Sequence, residues 1–193
     1  MDQLTLSFAI YSDWHIGAGV EGYADAIALK NSQGLPYIPG KAVKGLLKDA
    51  YLTALENAWF DDQLTLLFGT EGAIIATQGL LQVSSAELSQ EEQAYFAQHA
   101  AAKKHLFKVI HFTAIDHKTG VALNSSLRSM EVCLPLTLYA HISLNTAHPA
   151  YQTALAKALI TQIKTTAPLI HALGAKRHRG LGQVDVSVIE HRG

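Results

Sequence analysis

Leu4, Leu6, Phe8 and Ile10 fall on every second position, with Thr5, Ser7 and Ala9 between them. A period of two marks a strand with one buried face, here from about Leu4 to Tyr11. The same alternation returns at the far end, from Val184 to Ile189. Between the two strands the period becomes helical. After Pro39-Gly40, residues Val43, Leu46, Leu47, Ala50, Tyr51 and Ala54 share one helix face, and Lys41, Lys44 and Lys48 share another. Leu80 and Gln82 signal a second strand ahead of a polar stretch from Glu87 to Gln98, and a third strand is expected from Glu131 to Leu144. Helical spacing then runs through Leu155, Leu159, Ile163, Leu169 and Leu173. Pro149 stands near its start, Pro168 should kink or end it, and Gly174 reads as its C-terminal stop. Strand, helix, strand, strand, helix, strand is the split β-α-β order of an α+β, ferredoxin-like fold.

Two long irregular segments interrupt that order, at about 13–40 and 103–130, and loops of such length are more often functional than idle. With 193 residues and 49% hydrophobic content, the chain can bury a core as one domain, 1–193, carrying these two insertions. A net charge of -1 argues against coating nucleic acid through bulk charge, so any nucleic-acid site has to be local. Cys133 is the sole cysteine, which excludes an internal disulfide and a cysteine zinc cluster and fits a reducing cytoplasm. Its apolar neighbours Val132 and Leu134 make it a core residue. The amino terminus lacks the plan of a signal peptide, and no apolar run is long enough for a bilayer, so a soluble cytoplasmic protein with no membrane partner is expected.

Charge concentrates in Gly174-Ala175-Lys176-Arg177-His178-Arg179-Gly180-Leu181-Gly182-Gln183. Glycines there free the backbone to approach a ligand, and three cations suit a phosphate backbone. Earlier in the chain, Ser12-Asp13-Trp14-His15-Ile16-Gly17-Ala18-Gly19 runs from a strand end into a glycine-rich turn. Leu35-Pro36-Tyr37-Ile38-Pro39-Gly40 then delivers a rigid turn into the lysine-bearing helix, whose first N–H groups can meet an anion. Alone, a Gly-x-Gly turn usually just reverses the chain, and a lysine face is usually solvated surface. Trp14 and Tyr37 could stack on bases, yet their apolar neighbours make packing the default.

Together and in this order the pieces resemble the RAMP superfamily of CRISPR-associated proteins. The matching residues are His15 to Gly19, Asp25 within Gly22 to Ile27, Leu35 to Gly45, Leu67-Phe68-Gly69 and the loop Gly174 to Gly182. Ile115 to Ala122, a hairpin candidate in the second insertion, makes the chain most similar to the backbone subunit of type III effector complexes. The resemblance implies an RRM-related βαββαβ palm with a thumb-like insertion, over about Thr113 to Met130. Repeated copies of the palm would stack along a guide RNA with other effector subunits. It carries RNA binding onto His15, Gly17, Gly19, Lys41, Lys44, Lys176, Arg177 and Arg179. Such a subunit reads guide RNA by shape and backbone and leaves target sequence to base pairing.

The resemblance also implies a chemistry. Asp25 falls where target-cleaving members carry an aspartate needed for cutting with Mg2+ or another divalent cation, so Asp25 is the candidate catalytic and metal residue. The proline that usually follows that aspartate is absent; Ala26-Ile27-Ala28-Leu29 stands there instead. Three functions stay open. One is a guide-binding backbone subunit that cleaves target RNA as an endoribonuclease, and another is a non-catalytic RNA-binding and assembly subunit of the same fold. The third is a metal-independent guide-precursor endoribonuclease with His15 as base. For His15, turn packing is the reading to beat. His171 and His178 flank the basic loop with no matched zinc ligand set.

Overall fold

Strand β1 (Gln3–Ile10) turns Leu4, Leu6, Phe8 and Ile10 into the core, as the alternation predicts. The computed structural model describes residues 3–19, 22–70, 78–115, 118–122 and 126–189. Helix α1 (Gly40–Glu56) buries Val43, Leu47, Ala50, Tyr51 and Ala54, and a short helix α2 (Leu64–Phe68) closes on Gly69. Leu67 and Phe68 join the same core, so the Leu67-Phe68-Gly69 motif is a packed helix end. Strand β2 (Leu81–Val83) follows, then helix α3 (Gln90–Gln98), in the stretch that offered only polarity. Helix α3 starts from a capping box in which Ser89 accepts from the Glu92 N–H and Glu92 accepts from the Ser89 N–H, the reciprocal pairing of orphan donors.

The expected third strand is two strands. Strand β4 (Arg128–Cys133) pairs with β3 (Phe107–Phe112), whereas β5 (Leu136–Leu144) belongs to the main sheet. Pro135 separates them: it has no N–H to continue a ladder. Helix α4 (Thr153–Thr166) ends ahead of Pro168, which sits in a 3-10 turn, as its ring requires. Gly174 is not the helix stop. It lies beyond the segment that pairs Ala172 with Gln183, just before β6 (Val184–Ile189).

Four antiparallel strands in the order β2-β5-β1-β6 form the main sheet, with α1 and α4 burying their apolar faces into the core against it. With β1-α1-β2-β5-α4-β6 as chain order, this is the ferredoxin-like fold. The two-stranded β3-β4 unit lies in the excursion between β2 and β5. The Ile115–Ala122 hairpin candidate closes through an antiparallel bridge between its end residues; Asp116 and His117, and residues 123–125 of the thumb-like stretch, lie outside the described residues. No helix among the described residues is long and apolar enough to cross a membrane.

The two irregular segments are joined to each other. Trp14 pairs with Cys133 and Ala26 with Met130, so the 13–40 segment occupies the edge of β4 that β3 leaves open. Trp14 is fully buried and donates its indole N–H to the Leu134 carbonyl at 3.1 Å, which makes it a core anchor. Cys133 beside it is buried, and desolvation pushes its thiol up to about 12. An ion pair between Lys108 and Asp13 at 2.8 Å adds a second tie.

Candidate nucleic-acid interface

Lys176 adopts a left-handed backbone (φ 56°) and opens a single 3-10 turn, Arg177–Arg179, that exposes both arginines. Two of the glycines around it serve the protein's own backbone. A Cβ on Gly174 would sit 2.3 Å from the His15 carbonyl oxygen, and one on Gly182 would sit 1.9 Å from that of Leu173. Both also have positive φ, so only glycine fits. Gly180, with φ 85°, has open space around it. The freedom read from the sequence as ligand approach is therefore used, at two of three positions, to interlock the loop with the chain beneath. Ala175 N–H donates to the His15 carbonyl and Gly182 N–H to that of Asp13, each at 2.8 Å.

His15 is buried, and its Nδ1 lies 2.7 Å from the Glu131 carbonyl oxygen. Its imidazole thus ties the turn to β4, while its backbone carbonyl meets the loop. Gly17 and Gly19 are exposed on the same turn; Gly17 pairs with Ala28, and Gly19 has φ 74°. An open groove of about 370 Å³ lies between this turn, α1 and Gly174, lined by Ile16, Gly17, Ala42, Gly45 and Leu46.

The lysine face of α1 divides. Lys41 is exposed, whereas Lys44 donates from Nζ to the Leu81 carbonyl at 2.9 Å and is tied to the sheet edge. The expectation of free N–H groups at the start of α1 narrows here to Lys41. Gly40 donates to the Ser85 hydroxyl, and Ala42 and Val43 both donate to the Pro39 carbonyl, so these donors are committed within the fold. Helix α1 and the basic loop border each other across two open grooves, one lined by Ala42, Gly45, Gly174 and Ala175 and the other by Asp49, Thr53, Arg177 and His178.

The structure also gathers a set of residues that was not legible as a unit. The Lys176 ammonium rests 3.4 Å from the centroid of the Phe112 ring, at the end of β3. Phe112 is register partner to Arg128, which is exposed, and the next residue, Ser129, holds Asp25. The Asp25 Oδ2 accepts from the Ser129 N–H at 2.6 Å and from its hydroxyl at 2.9 Å. Asp25 itself is exposed, and its own N–H donates to the Ser129 hydroxyl at 3.1 Å. These Ser129 donors, with Arg128 as a smaller cause, hold the carboxyl below its ordinary range.

A depressed folded-state pKa stabilises the joint above the ordinary carboxylate value, and this contribution is lost only as pH falls through the lowered value. Asp25 should accordingly stay ionised at about pH 4. A carboxyl-carbon NMR titration reads this directly; a midpoint at or above the ordinary value would contradict the Ser129 clamp.

Glu131 is the residue that sequence reasoning missed. Only 2% exposed, it accepts from Lys30 Nζ at 2.9 Å and from the Tyr23 hydroxyl through Oε1, and from the Ala28 N–H at 3.0 Å through Oε2. Burial raises its pKa, against the opposing effects of the Ala28 N–H and His15. The signal was a lone charge inside Met130-Glu131-Val132-Cys133, since a carboxylate enters an apolar run only when partners await it.

The fold has relatives of known structure. A chain of the type III-B Cmr-beta cryo-EM structure bound to cognate target RNA matches with a TM-score of 0.70 at 11% identity, covering 96% of each chain. A chain of the type III-B Cmr-beta apo state matches at 0.67 and 12% identity, covering 97% of each. Identity this low speaks for the fold. No curated protein matches the chain. The RAMP superfamily model matches residues 9–185, which run from the end of β1 to the start of β6 and include the β3-β4 unit, Asp25 and the basic loop, and the chain therefore belongs to the RAMP superfamily.

Proposed function

We propose that the chain is a guide-RNA-binding backbone subunit of a type III CRISPR effector complex, packed against copies of itself and other subunits, and that it cuts bound target RNA through Asp25. One observation carries this reading: Lys176, Arg128 and Asp25 converge on the end of the β3-β4 pair through Phe112 and Ser129. Exposed Arg128, Arg177 and Arg179 supply charge for a phosphate backbone, and an ionised carboxylate is held beside one of them. The likeness to a chain of a structure bound to cognate target RNA supports the same assignment.

A divalent cation such as magnesium is what the family resemblance implies, and Asp25 suits it as a single ligand. It is exposed and its pKa is held low, while no cluster of three metal-ligating side chains occurs among the described residues. Magnesium is commonly held by one or two carboxylates together with substrate phosphates, which is the arrangement this donor set permits. Bound there, the ion would offset charge developing at the scissile phosphate. The chain's own residues do the positioning: Ser129 orients the carboxylate, and the arginines retain the RNA backbone. The solitary carboxylate also favours, as second reading, a subunit that binds without cutting. His15 as base of a precursor endonuclease gains no support, because its ring is buried.

Binding is tested at the loop. Arg177→Ala with Arg179→Ala should weaken RNA binding by about 10–100-fold at low salt, whatever the sequence, and lower the salt slope by about 1.4. Lys176→Ala should change the slope less, because its ammonium leaves the Phe112 ring to reach a phosphate. Filter binding across a salt series measures both. An unchanged slope in the double variant removes the loop from the interface.

A further inference from the structure

Strand β4 holds the segment that carries Asp25 at two points on one strand face. Ser129 and Glu131 are two positions apart, so their side chains project to the same side. Ser129 takes Asp25, and Glu131 takes Tyr23, Ala28 and Lys30, which bracket Asp25 in the chain. Backbone ties close the bracket: the Glu131 N–H donates to the Ala26 carbonyl at 2.8 Å. Lys30 Nζ also lies 4.3 Å from the Phe107 ring centroid, fixing the far side of the bracket to β3. Asp25 is exposed and, among the described residues, hydrogen-bonds beyond its own segment with Ser129, so its location depends on the bracket around it.

We infer that Glu131 is a positioning residue: it clamps the 23–30 segment onto β4 and thereby sets where the Asp25 carboxylate meets the RNA. The inference rests on the proposed cleavage role of Asp25. The clamp is a property of the free protein, and it is measurable without activity. Partners that orient a reacting carboxylate typically cost about 10–100-fold when removed, and a displacement of about 1 Å is enough to do so.

Two measurements test it together. In the free protein, amide exchange at Asp25 and Ala28 should speed up more than about tenfold in Glu131→Ala, while Leu6 in the central strand keeps its rate. In the reconstituted effector complex on guide-matched target RNA, single-turnover cleavage by Glu131→Ala should fall about 10–100-fold, with guide affinity within about twofold of the parent. Glu131→Gln retains an acceptor for Ala28 or Tyr23 and should recover most of the rate. Tyr23→Phe removes one surface hydroxyl from the clamp and leaves the fold intact, and its rate should drop about threefold to fivefold. If the parent complex does not cut, the catalytic reading of Asp25 fails, and exchange alone decides on the clamp. Unchanged exchange at Ala28 in Glu131→Ala overturns the inference, as does a rate that falls only in parallel with guide affinity.

Discussion

Replacing Asp25 with alanine should abolish the regularly spaced target cuts expected of the proposed function, lowering the cleavage rate by at least about 10²-fold, while guide binding should stay within a factor of about two. The separation is expected because the Asp25 side chain is exposed, while part of the β4 joint, the Asp25 N–H donated to the Ser129 hydroxyl at 3.1 Å, survives its removal. Asp25→Asn is the sharper variant. An asparagine keeps an acceptor for the two Ser129 donors, so the joint closes as before, but it lacks the charge that a cation and a phosphate-flanked site require. Asn and Ala should therefore be equally inactive, and the Asn variant should melt between the Ala variant and the parent, since it keeps the acceptor and loses only the preference of the joint for the charged form. Labelled, guide-matched RNA with reconstituted complex, run with and without magnesium, provides the measurement. Cuts that persist in Asp25→Asn would leave the aspartate as a structural tie only. A parent complex that binds fully and makes no cuts would establish the non-catalytic reading.

Gly182→Ala should be among the most damaging single substitutions in the chain. Its Cβ would fall 1.9 Å from the Leu173 carbonyl oxygen, inside any tolerable contact, and φ 68° is disfavoured for alanine in addition. Neither neighbour can yield cheaply. Leu173 is buried and accepts no side-chain rearrangement that moves its carbonyl, and the Leu173 N–H donates back to the Gly182 carbonyl at 2.9 Å. A loss of about 3 kcal/mol or more is expected, equivalent to roughly 6–12 °C in melting temperature for a chain of this length. Gly180→Ala is the control, since open space leaves only the backbone cost of about 1 kcal/mol. Equal melting temperatures for the two variants would mean that the turn relaxes around the added methyl group.

The parts of the fold with a clear period were readable. β1 and β6 alternate, α1 repeats at three and four residues, and these place the ferredoxin-like order. Helix α3 buries none of its residues, so it left no apolar period to find, although the Ser89-to-Glu92 capping signal was present. β4 and β5 merged because both flanks of Pro135 are apolar, and only the proline distinguishes one long strand from two.

The site was less legible, for a physical reason. Each decisive contact joins residues far apart in sequence: Gly174 with His15, Lys176 with Phe112, Asp25 with Ser129, Lys30 with Glu131. Local composition announces a charge or a glycine. It does not announce the backbone that a glycine must clear, or that Lys44 spends its ammonium on Leu81 while Arg177 stays exposed.

The register of β1 has a consequence for synthesis. Its two sheet neighbours are β5 and β6, with Thr5 opposite His141 on one side and Ile189 on the other. A nascent chain therefore holds β1 with both edges open until β5 and then β6, more than 120 residues later in the sequence, have been made, and contacts of such long range form slowly. Because the Gly182 turn leads directly into β6, the basic surface takes shape in the same late step. Until β6 has paired with β1, the turn that carries Lys176, Arg177 and Arg179 has no finished support.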